Sequence, residues 1–414
     1  MENVQVKYNE CFKGGKNMIA HLFKLAWNRR RKNAILGIEI LIAFLVLFAV
    51  SSIGLVFFKT YVKDRGFEFE KVYCIAFDWQ NENKQNILQK KEQIVEWLKQ
   101  DKEIENFSFT SNNTPYNQSI WMRGFNNNKI HFSTDIFYVD DNYFDVLGIK
   151  LIKGENFSKK HDSYKNPPVI INHVLEEKLE DQTPIIGKKI VDGDSKSNDG
   201  KEYPIIGVFE RFKYQNDFSG TKNQTFYRIS QLDTSVINPS TILIKVKNGI
   251  NATFEQRLQT SLTKIVRTWN IDISILKDKR KIVNRQVLTP FIIFSIITGF
   301  LIFNVALGIL GVLWYSINQR KSEIGLRRAM GASVNLIKGQ FIGEMWMLTL
   351  LSLSIGIVIA IQFPILGVFN VMTSTYIQAI FLSVGFIYFL VTLCAMYPSS
   401  MAAKILPAQS LRDE

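Results

Sequence analysis

The chain has 414 residues, 47% of them hydrophobic and 21% charged, and a formal net charge of +13. Its 31 Phe, 14 Tyr and 7 Trp exclude a disordered polymer, and its 24 Gly and 10 Pro show no fibrous period. Three cysteines (Cys11, Cys74, Cys394) in three kinds of segment make no disulfide framework, four histidines (His21, His131, His161, His173) share no ligand spacing, and the basic clusters flank apolar runs; disulfide scaffold, metal centre and nucleic-acid partner are therefore not expected.

Residues 1–33 read as a cytoplasmic N-terminal segment. Met1 to Asn17 form a loose polar leader, so that Met18 is an alternative start. From Ile19 the residues Leu22, Phe23, Leu25, Ala26 and Trp27 alternate with Lys24 and Arg29, the pattern of an amphipathic helix lying on membrane lipids. The apolar run that follows is too long for a cleaved signal and is expected to stay as an anchor.

Crossing a bilayer takes about 20 apolar residues in a helix, the structure that satisfies its own backbone hydrogen bonds. Four runs meet that length: residues 34–58, 288–317, 341–366 and 376–397. Lys24, Arg29, Arg30, Arg31 and Lys32 precede the first, while Arg320, Lys321, Arg327, Arg328 and Lys338 separate the second from the third. Both clusters belong on the cytoplasmic side. The connection 367–375 carries no charge, which fits the outer side, and the tail 398–414, with Lys404 and Arg412, returns to the cytoplasm. Glu39 and Glu344 stand inside spans, with Asn304 near the middle of the second. Each carboxylate is near a cytoplasmic end, where pairing with the basic clusters outweighs a relay role.

Residues 59–287 are soluble in composition and belong outside. Phe69 to Trp79 reads as a strand, Lys84 to Gln100 as a helix with Ile87, Leu88, Ile94, Val95 and Leu98 on one face, and Ile104 to Thr110 as a strand. The order returns at Thr241 to Val246, Ala252 to Trp269 and Ile271 to Leu276. Two β-α-β units predict a ferredoxin-like split sheet from residues 59–110 and 240–287, interrupted by a mainly-β insertion at 111–239. Within the insertion His173 to Glu180 reads as a helix and Gly148, Gly154, Gly187, Asp192-Gly193 and Gly207 as turns. The pair Asp140-Asp141 reads as a cap or turn, and the several Asn-x-Ser/Thr triplets, such as the one formed by Asn113 and its neighbours, receive no function. The fold class is a four-span α-helical membrane protein with an α+β extracytoplasmic domain.

The segment 318–340 holds RKSEIGLRRAMGAS, Arg320 to Ser333. Ser322 is placed to cap a helix with Glu323 in its first turn; Ile324, Ala329 and Met330 give it apolar contacts. Gly331 supplies a left-handed stop, and Ser333 caps the next helix. A short helix fixed between two spans is suited to carry force from a soluble partner with an apolar groove.

This stretch resembles the cytoplasmic coupling segment of MacB/FtsX-like ABC transporter permeases, the mechanotransmission class. YFDVLGIKLIKGENFS (Tyr143 to Ser158), VIINHVLEEKL (Val169 to Leu179) and PAQSLRDE (Pro407 to Glu414) are similar to the same family, as is the order of one span, large outer domain and three spans. The resemblance implies an ATPase-coupling role for Ser322, Glu323, Ile324, Gly325, Leu326, Arg327, Arg328, Ala329, Met330 and Gly331. It also implies a porter part and an inserted sabre part in the outer domain, and a bacterial inner-membrane location with the large domain periplasmic. No G-x-x-x-x-G-K-[ST] motif occurs in the sequence; Gly187-Lys188-Lys189 lacks the spacing and the hydroxyl. The family reading therefore puts ATP and Mg in a separate ABC ATPase subunit, makes this chain a non-enzymatic permease, and pairs it with a second permease chain, identical or not. Export of a periplasmic drug, peptide or toxin, with a periplasmic adaptor and an outer-membrane channel, is the expected role. A lipoprotein-releasing permease and a regulator of cell-wall hydrolases are the alternatives.

Overall fold

The computed structural model describes residues 30–79, 82–117, 120–127, 130–164, 166–179, 184–192, 202–229, 240–247 and 252–403. The amphipathic N-terminal helix, the choice between Met1 and Met18, the Gly193 turn and the Pro407–Glu414 match lie outside them. In chain order the elements are α1 (Arg30–Val62), β1 (Val72–Asp78), α2 (Lys84–Gln100), β2 (Ile104–Asn112), β3 (Met122–Asn127), β4 (Ile130–Val139), α3 (Tyr143–Leu147), β5 (Leu151–Gly154), β6 (Val169–Asn172) and α4 (His173–Leu179). There follow β7 (Lys189–Asp192), β8 (Glu202–Phe209), β9 (Gln224–Arg228), β10 (Thr241–Val246), α5 (Ala252–Ile265), β11 (Asn270–Ile275), α6 (Leu276–Gln319), α7 (Lys321–Ala329), α8 (Val334–Ala360), α9 (Gln362–Ile365) and α10 (Thr373–Ala403). The chain divides into two compact units, residues 1–58 with 289–414, and residues 59–288.

Among the described residues, α1, α6, α8 and α10 are the four helices long and apolar enough to cross a membrane. α1, α6 and α10 outrun the apolar stretches that announce them at both ends, α6 most of all at 44 residues, because hydropathy measures what hydrocarbon tolerates whereas a helix continues through polar flanks; α8 starts earlier than its stretch but stops at Ala360, and the short α9 follows. Their shared core takes Leu36, Ile40 and Phe44 from α1, Ile309 and Leu313 from α6, Phe341 and Met345 from α8, and Ile387 and Val391 from α10. Only 22–33% of the most apolar window of each helix is buried within the chain, so most of each surface is left for lipid or a partner.

In the second unit β11, β1, β10 and β2 lie side by side in that order, every neighbouring pair antiparallel. Each β-α-β crossover skips the strand between its ends, the split β-α-β arrangement read from the sequence. Alternation explains the two sides of this sheet. Tyr73, Ile75 and Phe77 of β1 face Ile87, Ile94 and Leu98 of α2 and Leu258 and Leu262 of α5. Val72 and Cys74 face a second core built with the insertion, where Phe137, Tyr143, Phe144, Phe212 and Phe226 meet.

The insertion is joined through β2, whose Thr110 to Asn112 pair with Val139 to Phe137 of β4. Strand pairing then runs β4-β3-β7-β8-β6-β9 and returns to β4 through the parallel β4–β9 ladder, closing a ring of six strands with β5 added on β8. Closure removes the free edges that an open mainly-β insertion would expose. The sequence carried no signal for it, because the closing register joins residues far apart in the chain.

Asp140 ties the insertion to the sheet: its carboxylate accepts from Ser108 Oγ at 2.5 Å and from the Phe109 N–H at 2.9 Å, besides the Asn142 N–H at 3.1 Å. Asp141 holds Arg228 at 2.6 and 3.0 Å. The pair is thus a turn, as expected, with a second task of cross-linking. Asn113, given no function from its triplet, is fully buried. Its Nδ2 donates to the carbonyls of Trp121 at 2.7 Å and Ile136 at 2.9 Å, and its Oδ1 accepts the Trp121 N–H at 2.7 Å.

Asn113→Leu keeps the volume and orphans those backbone groups at about 1–3 kcal/mol each. Thermal unfolding of the detergent-solubilised chain should fall by several degrees, whereas Glu105→Gln at an exposed position of β2 should move it little.

Candidate functional site

The segment between α6 and α8 is built from two helix ends and one short helix. Arg320 is the single residue between α6 and α7, with φ −111° and ψ 19°, and its carbonyl accepts the Ile324 N–H at 2.9 Å. The helix therefore starts before Ser322, which is exposed in the first turn and makes no cap; α7 follows α6 so directly that Arg320 takes the capping position. The other end matches the expectation. Gly331 has φ +92° and donates to the Arg328 carbonyl at 3.1 Å, and the Ala332 N–H reaches the Arg327 carbonyl at 3.0 Å. These two bonds are a Schellman stop, which needs the left-handed residue that glycine supplies. Ser333 then caps α8, its Oγ accepting from the Leu336 N–H at 3.3 Å.

The apolar residues of α7 do not share one face. Ile324, 5% exposed, and Gly325 point into the membrane unit's core. Leu326 and Met330, 52% and 61% exposed, lie four residues apart on the outward side with Ser322, Glu323 and Ala329. A periodicity of 3.6 puts Ile324 and Leu326 about 200° apart, so the expected grouping of Ile324 with Met330 gives way to one inward anchor and one outward pair.

Polar side chains fix the segment to α8. Arg320 Nη1 donates to Glu344 Oε1 at 2.8 Å, with the two side chains 9% and 10% exposed. Gln340 Nε2 reaches the same Oε1 at 3.3 Å, and Gln340 Oε1 accepts from Arg327 Nη1 at 2.8 Å. Arg327 closes the chain with an ion pair to Glu323, one turn back on α7. Arg328 instead donates to the Ala332 carbonyl at 3.2 Å and stiffens the stop. Arg320 and Gln340 were absent from the expected set. Their signal was faint: Gln340 ends the segment 318–340 one helical turn before Glu344, which stands inside the hydrophobic run that follows.

The two intramembrane carboxylates part company. Glu344 pairs with the neighbouring basic cluster, as expected. Glu39 lies against α6, its Oε2 2.7 Å from where a Cβ on Gly308 would stand, and makes no ion pair among the described residues. Glycine at 308 is what lets the carboxylate approach. Asn304, one turn earlier, is exposed and donates to the Phe300 carbonyl at 2.8 Å.

Comparison with known proteins gives this architecture its class. Residues 34–261 match the MacB-like periplasmic core domain family and residues 291–407 match the FtsX-like permease C-terminal family. The chain belongs to the MacB/FtsX-like ABC transporter permeases. Among curated relatives, the macrolide export ATP-binding/permease protein MacB of Neisseria meningitidis is 23% identical over 255 residues, 60% of this chain and 38% of that protein. The MacB proteins of Salmonella typhimurium and Escherichia coli K12 are 25% and 24% identical, each over 34% of its own length and over 53% and 54% of this chain. The chain thus spans little more than a third of the relatives it matches. Among solved structures, the periplasmic region of MacB from Actinobacillus actinomycetemcomitans aligns at TM-score 0.37 with 13% identity, covering 54% of this chain and 97% of that one. The extracellular domain of the noncanonic ABC-type transporter YknZ from Gram-positive bacteria aligns at 0.32 with 14% identity, over 48% and 99%.

Removing one partner of a buried pair leaves the other charge uncompensated, at about 3–5 kcal/mol. Glu344→Ala and Arg320→Ala should each lower the melting temperature and the monodisperse yield in detergent. Arg320→Met with Glu344→Leu should recover most of the loss, and a double variant as unstable as the worse single one would contradict the pairing.

Proposed function

We propose that this chain is the membrane subunit of a mechanotransmission ABC assembly, in which ATP is bound and hydrolysed with Mg by a separate ATPase subunit and α7 receives the resulting motion. Two permease chains, identical or related, work with two ATPase chains in a bacterial inner membrane. The basic clusters support a reading in which α7 and both termini are cytoplasmic and residues 59–287 are periplasmic, as a porter part and a sabre insertion. The curated relatives are named for macrolide export. From these names we carry over the outward direction, and propose extrusion of a periplasmic drug, peptide or toxin, passed to an adaptor and an outer-membrane channel.

The observation that carries this reading is the two-sided construction of α7. Its inward side is locked by Ile324 and by the chain of contacts from Arg327 through Gln340 and Glu344 to Arg320, with Glu323 bracing Arg327 from the outward side. Its outward side shows Leu326 and Met330, a pair of anchors at helical spacing for a groove in a partner. A helix fixed on one side and bare on the other passes displacement to α6 and α8 instead of absorbing it.

Leu326→Asp and Met330→Asp should each weaken binding of the purified ATPase subunit to the chain in lipid nanodiscs by ~30-fold, the loss typical of a buried anchor. Glu323→Ala with Arg327→Ala, which removes the link from α7 to Gln340 and its brace, should spare binding and disconnect hydrolysis from substrate release. Wild-type affinity in both aspartate variants, measured by titration, would remove α7 as the docking element.

A further inference from the structure

Three segments distant in sequence meet within residues 59–288. They are the residues closing α1 and following it (Thr60 to Arg65), an irregular strap after β8 (Glu210 to Phe218), and the first turns of α6. Asp217 stands at the centre with its side chain 2% exposed. Its Oδ1 accepts Arg65 Nε at 2.9 Å; its Oδ2 accepts Arg280 Nε at 2.8 Å, Arg280 Nη2 at 2.6 Å and Asn284 Nδ2 at 2.9 Å. The Asp217 N–H donates back to Asn284 Oδ1 at 3.1 Å. Both guanidinium groups also sit over the ring of Phe69, at 5.3 and 4.8 Å.

The strap is held at two further points. Lys213, 4% exposed, donates its ammonium protons to the carbonyls of Thr60 and, at 2.7 Å, Lys63. Carbonyls around a helix's last turn lack intrahelical partners, so the lysine serves as a C-terminal cap. On the domain side the Tyr214 carbonyl accepts the Tyr116 N–H at 2.6 Å and the Phe212 carbonyl accepts Gln224 Nε2 at 2.7 Å. Phe69 is a core residue of the domain, so the two guanidinium groups rest on the edge of that core while their hydrogen bonds go to Asp217.

We propose that Asp217 is a positioning residue for mechanotransmission: it clasps the end of α1 to the start of α6, so that the outer domain follows the two helices as one lever. This rests on the function proposed above. One carboxylate holds two cations that repel each other without it, so its loss turns attraction between the helix ends into repulsion while the sheet, its helices and the strand ring keep their packing. Its side-chain bonds run to Arg65, just past the end of α1, and to Arg280 and Asn284 in the first turns of α6, so it joins the two helix ends directly.

The test is hydrogen–deuterium exchange by mass spectrometry on the full chain with its ATPase subunit in nanodiscs, with and without a non-hydrolysable ATP analogue. A wild-type complex whose outer domain exchanges identically in both states overturns mechanotransmission itself. Where the wild type responds, Asp217→Asn is expected to keep ATPase binding and hydrolysis within about twofold and to shrink the nucleotide-dependent difference in residues 202–228 at least about fivefold, the low end of measured coupling. Asp217→Glu should restore part of it. A difference of wild-type size in Asp217→Asn, even with faster exchange in both states, would show a structural role and overturn the clasp. If Asp217→Asn does not accumulate, Arg280→Lys, which keeps the charge and loses the fork, and Asn284→Ala take its place. Undiminished responses in both would equally reject the proposal.

Discussion

The ion pair between Arg320 and Glu344 is the contact on which the membrane unit's order depends. Taking both charges out of water costs more than their attraction returns unless each keeps further partners, so such a pair is poor evidence of stability. What it gives is position. Apolar helices in lipid gain little by choosing one neighbour over another, since hydrocarbon is as apolar as leucine. A guanidinium at the junction of α6 and α7 that can reach a carboxylate one helical turn beyond Gln340 fixes which part of α8 faces that junction. The direction of α7 then follows, because Ile324 is drawn into the same core and Gly331 ends the helix before it can run on.

The outer domain meets a similar problem with other means. Its two β-α-β units make a sheet whose helix-covered side is closed by α2 and α5 and whose other side carries Val72, Cys74 and Leu243. Those residues need a second layer, and the insertion supplies it. The aromatic cluster of Phe137, Phe144, Phe209, Phe212 and Phe226 fills the space, with neighbouring rings 4.5–6.1 Å apart in stacked and edge contacts. Polar cross-links then set the register: Asp140 onto β2, Asn113 between the Trp121 and Ile136 backbones, and Arg228 between Asp141 and Asp162.

What the sequence made legible follows from range. The spans, the two β-α-β units, the helix after Asn172, the left-handed stop at Gly331 and the cap at Ser333 each depend on neighbours within a turn or two, and local chemistry decides them. Start points were less legible: Ser322 has the chemistry of a cap, but the continuation of α6 through Arg320 overrides a single hydroxyl. Long-range pairing was opaque. Nothing in the composition of β9 tells that it lies parallel to β4, and nothing in Asp217 tells that Arg65, 152 positions earlier, will share its carboxylate with Arg280. The side of a helix on which an apolar residue falls sits between these cases. Spacing separates Ile324 from Leu326 and Met330, yet the tertiary core decides which side is inward.

The distribution of charge along α6 shows how one helix can serve two environments. Its first turns carry Lys277, Asp278, Lys279, Arg280 and Lys281, its centre carries no ionisable group, and Arg320 follows its last residue. Charges at such positions avoid the hydrocarbon, where each would cost several kcal/mol, and remain free to form directed bonds where the helix leaves it. Arg280 and Arg320 use that freedom in the same way, each donating to a carboxylate from a segment remote in sequence, at 2.6 and 2.8 Å. A helix held at both ends by charge-assisted bonds and flanked by lipid between them has few ways to relax a displacement along its length. On the proposed reading, this is why the polar contacts collect at its ends and the middle is left to weak, interchangeable apolar packing.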